Sequence, residues 1–524
     1  MKKFPVHFVS LMLGLSALGS RLSAQPVRQV SLEDAIRLAD RTSESVEIAR
    51  AAVTRANGQQ MLARSLFLPQ VNGSLSYGKT LKSQFEALAS SGPDTATFRS
   101  LCSPRIDPTA TAGERTIALN QALTCQGGGG IDFSKVGFGA KNSWTFGLQF
   151  SQNVFTGGRA TGQRIASSAG RRAADVELTA QRAQLILDIT QAYYNAVLAS
   201  RLADIAHASM GWNEDVLRQT TKAREVGSSS EFDLLRAQVS RDNYVPIVLQ
   251  RKSDRNVALL RLKQLLEMPL DDSLQLTTDI DVAPMATMVG MVAAGAKPDT
   301  SADARATVRE AAENVRAQEG LLRAARGDRL PSVAVTSGYQ RLFFPTTTFP
   351  QFGDFAENWT LGVTIGTSLF SGGRTAGNFM MADASLREAR ARHKQAREFA
   401  ALDSRIALSQ LEQAEAAWRA SQGTAEQARK AYGIDEIRYR EGISTQTDLT
   451  SSRLLVEQAM VNRAVAARDY AVARMRMALL KDLPLNGSGT SGATAGTASA
   501  PAAPPAQTRS TTSGASAGSS GSNQ

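Results

Sequence analysis

Side chains that commonly carry catalysis or bind metals are sparse in this sequence of 524 residues. Three are histidines: one lies in the leader described below, and His207 and His393 stand apart on stretches with helical patterning. Neither a nucleophile elbow nor paired acidic residues at catalytic spacing accompanies them, and a metal site needs several donors at defined spacing. The sequence therefore predicts a protein that is not an enzyme and that binds no cofactor or metal.

The two cysteines are the next candidates for chemistry. Cys102 and Cys125 lie in one loop-like stretch, close to the glycines at 127–130. Two thiols without a neighbouring histidine make a poor metal site, whereas disulfides persist in the oxidising compartments that exported chains enter. We expect a disulfide that pins this loop, with two free thiols as the alternative.

Two glycine pairs, Gly157-Gly158 and Gly372-Gly373, superficially resemble a phosphate-binding loop. Such a loop continues with Lys and then Ser or Thr, and neither pair is followed by that dipeptide. Each pair instead stands between a strand pattern and a helix pattern. Because glycine accepts backbone angles that other residues avoid, the pairs predict strand-to-helix bends.

The segment 1–24 has the layout of a secretory leader. Lys2 and Lys3 precede an apolar stretch at 8–18, and small residues precede a cleavage position after Ala24, with Gly19 as the alternative. The apolar stretch is too short to cross a bilayer, and no later segment has the about 18 uncharged apolar residues that a membrane helix needs. The chain is therefore expected to be exported, and to be either soluble or held in a membrane by strands.

The formal net charge of +11 is spread along helix-like segments among Glu and Asp, and aromatic residues make up only 6% of the chain. A nucleic-acid-binding surface concentrates Lys and Arg in one patch with interleaved aromatic residues. The charge therefore predicts a solvated surface and no nucleic-acid partner.

The chain contains an internal repeat. The segment 144–148 recurs at 359–363, and the element Phe-x-Gly-Gly-Arg at 155–159 recurs at 370–374. Gly227 and Gly442, each followed six residues later by Asp-Leu, are related in the same way. The numbering differs by 215 in every case (359 − 144, 370 − 155 and 442 − 227), which we call the short offset. A match of this length without a gap predicts duplication of one large structural half.

Upstream of Trp144 the spacing changes. The Leu-Pro pair at 68–69 recurs at 330–331, which gives a long offset of 262 in the numbering (330 − 68). The difference between the long and short offsets is an insertion in the first copy, between Tyr77 and Trp144, and insertions of this kind belong in exposed loops. The chain is predicted to comprise a signal peptide, a first repeat, a linker, a second repeat and a disordered tail, in the order 1–24, 25–267, 268–303, 304–482 and 483–524.

Each repeat begins with a helix pattern, at 32–66 and at 304–326, and then changes to a period of two. Four segments alternate large apolar with small polar residues, at about 70–78, 143–154, 332–341 and 358–369. Such alternation is expected when one face of a sheet meets lipid and the other meets water, although a soluble sandwich gives the same pattern. A membrane sheet has to close, and the smallest membrane barrels use about eight strands, so several copies must contribute. Three copies would give twelve strands, and strand number alone also permits two or four.

The longest segments without proline are at 159–224 and 374–440. At 1.5 Å per residue, a helix of about 65 residues extends roughly 100 Å, and these segments are too polar for a bilayer. Each ends at a glycine turn, at 226–230 and at 441–445, after which a second helix begins. Each repeat is thus predicted to end in a long helical hairpin that stands in water.

Together these elements resemble the TolC-like outer-membrane efflux proteins (outer membrane factors) over residues 30–482. The resemblance rests on Leu-Glu-Asp-Ala at 32–35, Leu-Pro-Gln at 68–70, the two Phe-x-Gly-Gly-Arg elements, and the two glycine turns followed by Asp-Leu. It implies an α+β membrane protein. Four β-strands per chain would contribute to a trimeric 12-stranded outer-membrane β-barrel, continuous with a long periplasmic α-helical coiled-coil barrel.

The resemblance also implies partners and a function. The chain is expected to be a homotrimer that contacts outer-membrane lipid in a Gram-negative-type cell and extends into the periplasm. It would be the exit duct of a tripartite efflux or type I secretion system, conducting substrates passively from a periplasmic adaptor (membrane fusion) protein and an inner-membrane transporter. The alternative is a non-conducting trimeric envelope scaffold or spacer.

Candidate site residues follow from the resemblance by position. Asp448 corresponds to an aspartate ring that narrows the periplasmic end, and Asp233 and Tyr439 correspond to members of a latch that keeps it closed. Ser444 and Ser451 stand where an arginine of the latch and a second ring aspartate are typical. A different role for the two aspartates is a favourable charge at a helix N-terminus. Adaptor hairpins would dock on the tip turns, at Val226, Gly227, Ser228, Glu441, Gly442 and Ile443.

Overall fold

The structure of the chain is a computed structural model, and it describes residues 28–82, 106–127, 140–279, 300–345 and 355–485. The chain divides into two compact units, Met1–Pro484 and Leu485–Gln524, and every element below belongs to the first. The predicted signal peptide, almost all of the predicted tail, and Cys102 lie outside the described residues. The side chain of Cys125 lies outside them as well, so the disulfide remains a prediction.

The described chain consists of helices and a smaller amount of sheet. The helices are α1 Leu32–Thr42, α2 Glu44–Ser65, α3 Ala112–Gly127, α4 Arg159–Glu225, α5 Glu231–Leu265, α6 Ala306–Gly327, α7 Arg374–Arg440 and α8 Gln446–Leu479. The strands are β1 Arg28–Val30, β2 Gln70–Lys79, β3 Asn142–Phe155, β4 Leu274–Leu276, β5 Ser332–Phe343 and β6 Ala356–Gly366. Apart from α3, which lies in the insertion between β2 and β3, the order α2-β2-β3-α4-α5 in the first repeat therefore returns as α6-β5-β6-α7-α8 in the second.

Four strands form an antiparallel sheet in the order β2-β3-β5-β6, and β1 and β4 form a separate parallel pair. Tyr77 lies opposite Trp144 in the β2–β3 pair, and Tyr339 lies opposite Trp359 in the β5–β6 pair. β3 and β5 join the two pairs, with Leu148 opposite Tyr339. Within the described chain, β2 and β6 are the two edges of this sheet.

The register sorts the side chains of the sheet by face. Large apolar residues of neighbouring strands share one face, such as Leu75 opposite Phe146, and small polar residues share the other, such as Ser76 opposite Thr145. The apolar face is open in the single chain, where Trp359 is 78% exposed. An apolar face of this extent is stable only against lipid or another protein, which agrees with the interpretation as a membrane sheet.

The largest differences from the sequence expectations are at two element boundaries. The apolar pattern predicts one helix over 32–66, but the chain breaks at Ser43, whose extended ψ of 122° separates α1 from α2. Ser43 still closes α1, because its amide donates a hydrogen bond of 2.8 Å to the Ala39 carbonyl. The fourth strand of the sheet is also shorter than expected and ends at Gly366 instead of position 369.

The main apolar core lies between α1, α4, α5 and α8. Tyr193 of α4, Leu262 of α5 and Met475 of α8 are fully buried there. The Tyr193 hydroxyl donates a hydrogen bond to the Val30 carbonyl and accepts one from the Thr278 amide, each at 3.0 Å. Because a buried hydroxyl needs partners, this pair of bonds fixes the small β1–β4 sheet onto the long helix α4.

Helices α4 and α7 contain 67 residues each. Each therefore extends roughly 100 Å. Alanine predominates among the buried residues of α4, and small side chains let neighbouring helices approach closely. None of the described helices is long and apolar enough to cross a membrane.

A buried ion pair lies where α6 begins. Arg305 is fully buried, and its Nη2 lies 2.7 Å from Asp403 Oδ2 of α7. Arg476 of α8 lies 2.9 Å from the other carboxylate oxygen, Asp403 Oδ1. Burial lowers the pKa of Arg305, and the carboxylate opposes that change. One carboxylate thus connects the start of α6 with α7 and α8.

Candidate functional site at the helical hairpins

Both hairpins turn at a glycine in the left-handed region of backbone conformation. Gly227 follows α4 with a φ of 78°, and Gly442 follows α7 with a φ of 71°. The Ser228 and Ile443 amides each donate a 2.8 Å hydrogen bond to the carbonyl five residues earlier. This bonding satisfies the last carbonyls of each long helix, and glycine adopts the required φ without strain.

A capping box starts each return helix. The Asp233 amide donates to the Ser230 hydroxyl at 3.1 Å, and the Ser230 amide donates to the Asp233 carboxylate at 3.3 Å. Asp448 and Thr445 repeat these two bonds at 3.2 and 3.0 Å. Hydrogen bonds from Ser230 and Thr445 lower the pKa of the two aspartates, so both are ionised at neutral pH. The structure thus gives both aspartates the role of a helix-start charge, and their ring and latch roles stay predictions.

The ends of the hairpins are exposed and partly apolar. Val226 of the first turn, Ile443 of the second and Phe232 at the start of α5 are exposed large side chains. Glu441 is exposed as well, and Tyr439 is half-buried in the last turn of α7. Apolar side chains beside charged ones are typical of surfaces that bind a protein partner.

A hydrogen bond joins the two hairpins close to their turns. Arg236 of α5 donates through Nη1 to the Thr447 hydroxyl of α8 at 2.9 Å. The first turn has its own ion pair, between Arg224 of α4 and Glu231 of α5. The tips are therefore held both within a hairpin and between hairpins.

A larger group of contacts links the hairpins further from the turns. We call it the inter-hairpin cluster. The Arg453 guanidinium carbon lies 3.6 Å from the centroid of the Trp212 ring, and Trp212 Nε1 donates to the Tyr432 hydroxyl at 2.7 Å. A cation over an aromatic face is attracted by the quadrupole of the ring. The cluster comprises Ser209 and Trp212 of α4, Tyr244 of α5, Tyr432 of α7, and Arg453 and Glu457 of α8.

Glu457 is the acidic member of the cluster. It accepts hydrogen bonds from the Tyr244 hydroxyl at 2.5 Å and from the Ser209 hydroxyl at 2.9 Å. Burial, followed by the bond to Glu457, raises the pKa of Tyr244 to about 12, and burial lowers the pKa of Arg453. At neutral pH the cluster therefore contains a neutral phenol and a charged guanidinium, each with a partner.

The repeat does not predict this cluster, because the residues of the cluster do not take part in the repeat. The short offset relates Trp212 to Gln427 and Tyr432 to Leu217. The available signal was the presence of single aromatic residues on helices that are otherwise rich in alanine. Such residues are usually part of a core, so the signal did not indicate a link between hairpins.

The four bend glycines lie where the sheet continues into the long helices. Their φ angles are all positive, and the second glycine of each pair immediately precedes α4 or α7. These angles are 65° at Gly157, 90° at Gly158, 57° at Gly372 and 85° at Gly373. Two successive residues with positive φ let the chain bend from strand to helix without strain.

The environment of Glu310 in α6 predicts that the stability of the protein depends on pH. Burial, followed by the negative charge of Glu177, raises its pKa to about 7. The folded chain then binds this proton more tightly than the unfolded chain, so the stabilisation is present at acid pH and is lost as the pH rises through about 7. Between about pH 5 and 8 the natural chain should lose on the order of 1–3 kcal/mol of its free energy of unfolding through Glu310. We expect this loss to be absent in Glu310→Gln.

Thermal unfolding at these two pH values measures the Glu310 effect. Glu319→Gln is the matched control, because Glu319 lies on the same helix in an exposed ion pair with Arg390. The control should keep the pH dependence of the natural chain. If Glu310→Gln keeps the pH dependence of the natural chain, Glu310 is not the source of the pH-dependent stability.

The described features define a class of protein: a two-repeat chain in which an amphipathic four-stranded sheet continues into long helical hairpins. A profile of the family described as outer membrane efflux protein matches residues 35–267 and 298–480. These ranges cover most of both repeats, and the chain therefore belongs to the outer membrane efflux protein family. It is a protein of the outer membrane that extends into the periplasm.

Individual relatives support this assignment. The chain is 24% identical over 351 residues to the outer membrane efflux protein BepC of Brucella suis biovar 1 (strain 1330), which covers 64% of this chain and 73% of that protein. Among solved structures it resembles the CmeC outer membrane channel of Campylobacter jejuni, with 16% identity, a TM-score of 0.60 and 87% coverage of each chain. It also resembles the outer membrane protein VceC of Vibrio cholerae, with 16% identity, a TM-score of 0.62, and coverage of 86% of this chain and 95% of that one. At these identities the likeness shows the fold.

Proposed function

We propose that this chain is the exit duct of a tripartite efflux or type I secretion system and conducts its substrates passively. The observation that carries the proposal is continuity. The chain passes from β3 through Gly157 and Gly158 into α4, and from the end of β6 through Gly372 and Gly373 into α7. The same chain thus has an amphipathic sheet suited to lipid and helices of 67 residues suited to water.

Closure of the sheet supports an assembly of three copies. The edges β2 and β6 carry backbone groups that need partners in a membrane, and four strands are too few for a closed barrel. A homotrimer would supply a 12-stranded β-barrel with its apolar face toward outer-membrane lipid. The hairpins would follow the same symmetry as a periplasmic coiled-coil barrel, and the small polar face of the sheet would line the passage.

The tip turns are the proposed docking site for the adaptor (membrane fusion) protein, which joins the duct to an inner-membrane transporter. The exposure of Val226 and Ile443 supports this assignment, because each lies beside the turn glycine of its hairpin. The other proposed contacts are Gly227, Ser228, Glu441 and Gly442. Opening of the tip by these partners would admit the substrate, and the duct itself would do no chemistry.

Asp448 is the proposed constriction residue, with Asp233 and Tyr439 as latch residues. Three ionised carboxylates close to one axis would attract cations and repel anions. We expect Asp448→Asn to lower the cation-to-anion permeability ratio severalfold. Asparagine keeps a side-chain oxygen that can accept the bond from the Thr445 amide, so the variant removes mainly the charge.

Single-channel recording of the purified oligomer in a planar bilayer tests the duct and the constriction together. Asp469→Asn is the matched control, because Asp469 lies on the same helix but more than twenty residues from the turn. Equal permeability ratios in Asp448→Asn and the natural protein would refute the proposed constriction by a ring of Asp448 carboxylates. A folded oligomer that conducts no ions, with drug susceptibility unchanged by deletion of the protein, would instead indicate a non-conducting scaffold.

A further inference from the structure

Arginine is concentrated where the sheet meets the helices. The segments 61–69 and 323–331 lead from the ends of α2 and α6 into strands, and the segments 159–165 and 374–380 begin α4 and α7. Together these four segments contain seven arginines and one aspartate, and neither lysine nor glutamate. We call the seven arginines the arginine band, and all of them are exposed. With the aspartate they carry a net charge of +6 (seven minus one), against +11 for the whole chain.

The repeat places the band at both halves of the sheet. The long offset relates Arg64 to Arg326, and the short offset relates Arg159 to Arg374. Seven residues of a helix extend about 10 Å, so the arginines that begin α4 and α7 lie within that distance of the bends. The band is therefore confined to a narrow zone at the end of the sheet from which the helices extend.

The chain supplies little negative charge to this zone. Asp328 is the one acidic residue of the four segments, and its Oδ1 lies 3.9 Å from Arg159 Nη1. The other six arginines form no ion pair within the described residues. Further along α6, by contrast, Glu319 pairs with Arg390 at 3.1 Å. Most of the charge of the band is therefore available to an anion that the described chain does not provide.

Two arginines of the band share one aromatic ring. The Arg329 and Arg326 guanidinium carbons lie 4.5 and 5.9 Å from the centroid of the Phe379 ring. Each cation is attracted by the face of the ring, so the ring holds two like charges close together. Like charges repel, and an anion bound by both relieves that repulsion. A guanidinium also has parallel donors that fit the oxygens of a phosphate group.

The first repeat has the same residue types at the corresponding positions. The two offsets relate this group of two arginines and one phenylalanine to a second group of the same composition, which is Arg64, Phe67 and Arg164. Helix α2 packs against α4 as α6 packs against α7, so both groups lie on a pair of neighbouring helices. Each repeat thus contributes two arginines and a phenylalanine to the same zone.

Exposed apolar side chains follow the band toward the sheet. Leu68 and Leu330, which are related by the long offset, are 59% and 52% exposed. Phe155 and Phe370, which are related by the short offset, are 47% and 91% exposed. In the sequence all four lie between a strand of the sheet and an arginine of the band. Apolar side chains next to basic ones fit the boundary of a bilayer, where acyl chains meet headgroups.

We propose that the arginine band binds the phosphate groups of anionic phospholipids in the periplasmic leaflet of the outer membrane. The helices extend into the periplasm, so the band lies at the periplasmic end of the sheet. A phospholipid is the occupant because it supplies both a phosphate for the arginines and acyl chains for the leucines and phenylalanines, whereas free phosphate supplies only the first. The inference rests on the proposed function, in which the sheet spans the membrane, and adds the class of lipid and the residues that bind it.

Two lipids that differ in headgroup charge test the band. The purified full-chain oligomer in an uncharged detergent is titrated with phosphatidylglycerol and with phosphatidylcholine of the same acyl chains. Mass spectrometry of the intact oligomer counts the bound lipids. Phosphatidylglycerol should bind more tightly, and a higher ammonium acetate concentration should reduce the difference, because salt screens exposed charges. Equal binding of the two lipids at low salt would overturn the proposal.

Removal of the two charges on the Phe379 ring identifies the residues that bind. Arg326→Gln with Arg329→Gln should lower the affinity for phosphatidylglycerol about thirtyfold, which corresponds to about 1 kcal/mol for each charge near an anionic lipid surface. The affinity for phosphatidylcholine should stay the same. Arg326→Lys with Arg329→Lys keeps the charges and should bind phosphatidylglycerol more tightly than the glutamine variant. A lysine variant as weak as the glutamine variant would overturn the role of the charges.

Arg405→Gln with Arg429→Gln is the matched control for the glutamine variant. Arg405 and Arg429 are exposed arginines of α7 that form no ion pair within the described residues, and both lie more than thirty residues from the start of the helix. The control should bind phosphatidylglycerol as the natural protein does. An equal loss of affinity in the control and in the glutamine variant would mean that total charge governs binding, and would overturn the band.

Free phosphate tests whether the ligand is a lipid. At matched ionic strength, inorganic phosphate should displace much less bound phosphatidylglycerol than the same concentration of a phosphatidylglycerol with longer acyl chains. Equal displacement would show that the band binds phosphate without the lipid, and would overturn the lipid assignment.

Conductance measured on the same preparations separates this inference from the proposed function. Ion conduction by an oligomer that binds both lipids equally would keep the duct and overturn the lipid site. Preferential binding of phosphatidylglycerol by an oligomer that conducts no ions would keep the lipid site and overturn the duct.

Discussion

Replacing Asp403 by Ala is expected to lower the free energy of unfolding by about 3–5 kcal/mol. The Asp403 carboxylate lies 2.7 Å from the Arg305 guanidinium and 2.9 Å from that of Arg476. Because Arg305 is fully buried, loss of the carboxylate leaves its charge in a dry site without a counter-ion. The same loss disconnects the start of α6 from α7 and α8.

Urea unfolding followed by circular dichroism in detergent measures the effect of Asp403→Ala. The protein concentration must be held constant, because assembly also contributes to stability. Asp383→Ala is the matched control: Asp383 lies on the same helix and pairs with Arg387 at 3.1 Å on the surface. An exposed pair of this kind contributes about 0.3–0.5 kcal/mol, so equal losses in the two variants would contradict a special role for the buried pair.

A double variant separates the charge from the packing. Asp403→Leu together with Arg305→Met replaces the pair by apolar side chains, and Arg476 keeps its hydrogen bond of 2.8 Å to Gln410 Oε1. Buried ion pairs replaced in this way often lose little stability. The double variant should therefore be more stable than Asp403→Ala alone. A further loss would mean that other contacts of Arg305 matter more than its charge.

The internal repeat accounts for much of what the sequence predicts about this fold. The two long helices have the same length and are related by the short offset at both ends, as the spacing of the glycine pairs requires. The same logic would have found the break at Ser43. Helices α2 and α6 are related by the long offset at both ends, so the start of α2 at Glu44 corresponds to the start of α6 at Ala306. The prediction of one helix over 32–66 was wrong because apolar spacing continues through the break.

The contacts that do not repeat could not be predicted. Arg305 and Asp403 are far apart in the sequence, and the repeat relates them to Ser43 and Asp188, which form no ion pair in the described chain. A charged residue on a polar helix is usually solvated, so nothing in the sequence singles out this pair. The close contact of α4 with α6, where a Cβ atom added to Gly162 would lie 2.4 Å from the Gly320 carbonyl oxygen, could not be predicted either, because the sequence alone does not show which helices face each other.

We expect the inter-hairpin cluster to govern opening of the hairpin tips. We expect Trp212→Ala to favour the open state of the tips. Trp212 donates to Tyr432 of α7 and lies under Arg453 of α8, so it joins the first hairpin to the second. Its removal leaves a half-buried guanidinium without its aromatic partner and a half-buried phenol without its donor. In the proposed duct, passage of a substrate would require the hairpins to separate, and contacts between the hairpins oppose that separation.

The contributions of Trp212 can be added approximately. A desolvated cation–π contact is worth about 2 kcal/mol and a hydrogen bond about 1 kcal/mol. A loss of about 2–3 kcal/mol shifts the ratio of open to closed tips about 30- to 160-fold toward the open state. The open fraction in single-channel recordings measures this shift directly. Entry of bulky antibiotics into cells that express the variant measures it independently.

Trp418→Ala is the matched control for Trp212→Ala. Trp418 of α7 stacks on Tyr470 of α8 with ring centroids 5.1 Å apart, so it makes an equally large aromatic contact within a single hairpin. Its loss should destabilise the chain and leave the open fraction unchanged. Tyr432→Phe removes only the hydrogen bond from Trp212 and should shift the ratio about fivefold. If Trp212→Ala and Trp418→Ala change the open fraction equally, general loosening of the helices governs opening and the inter-hairpin cluster does not.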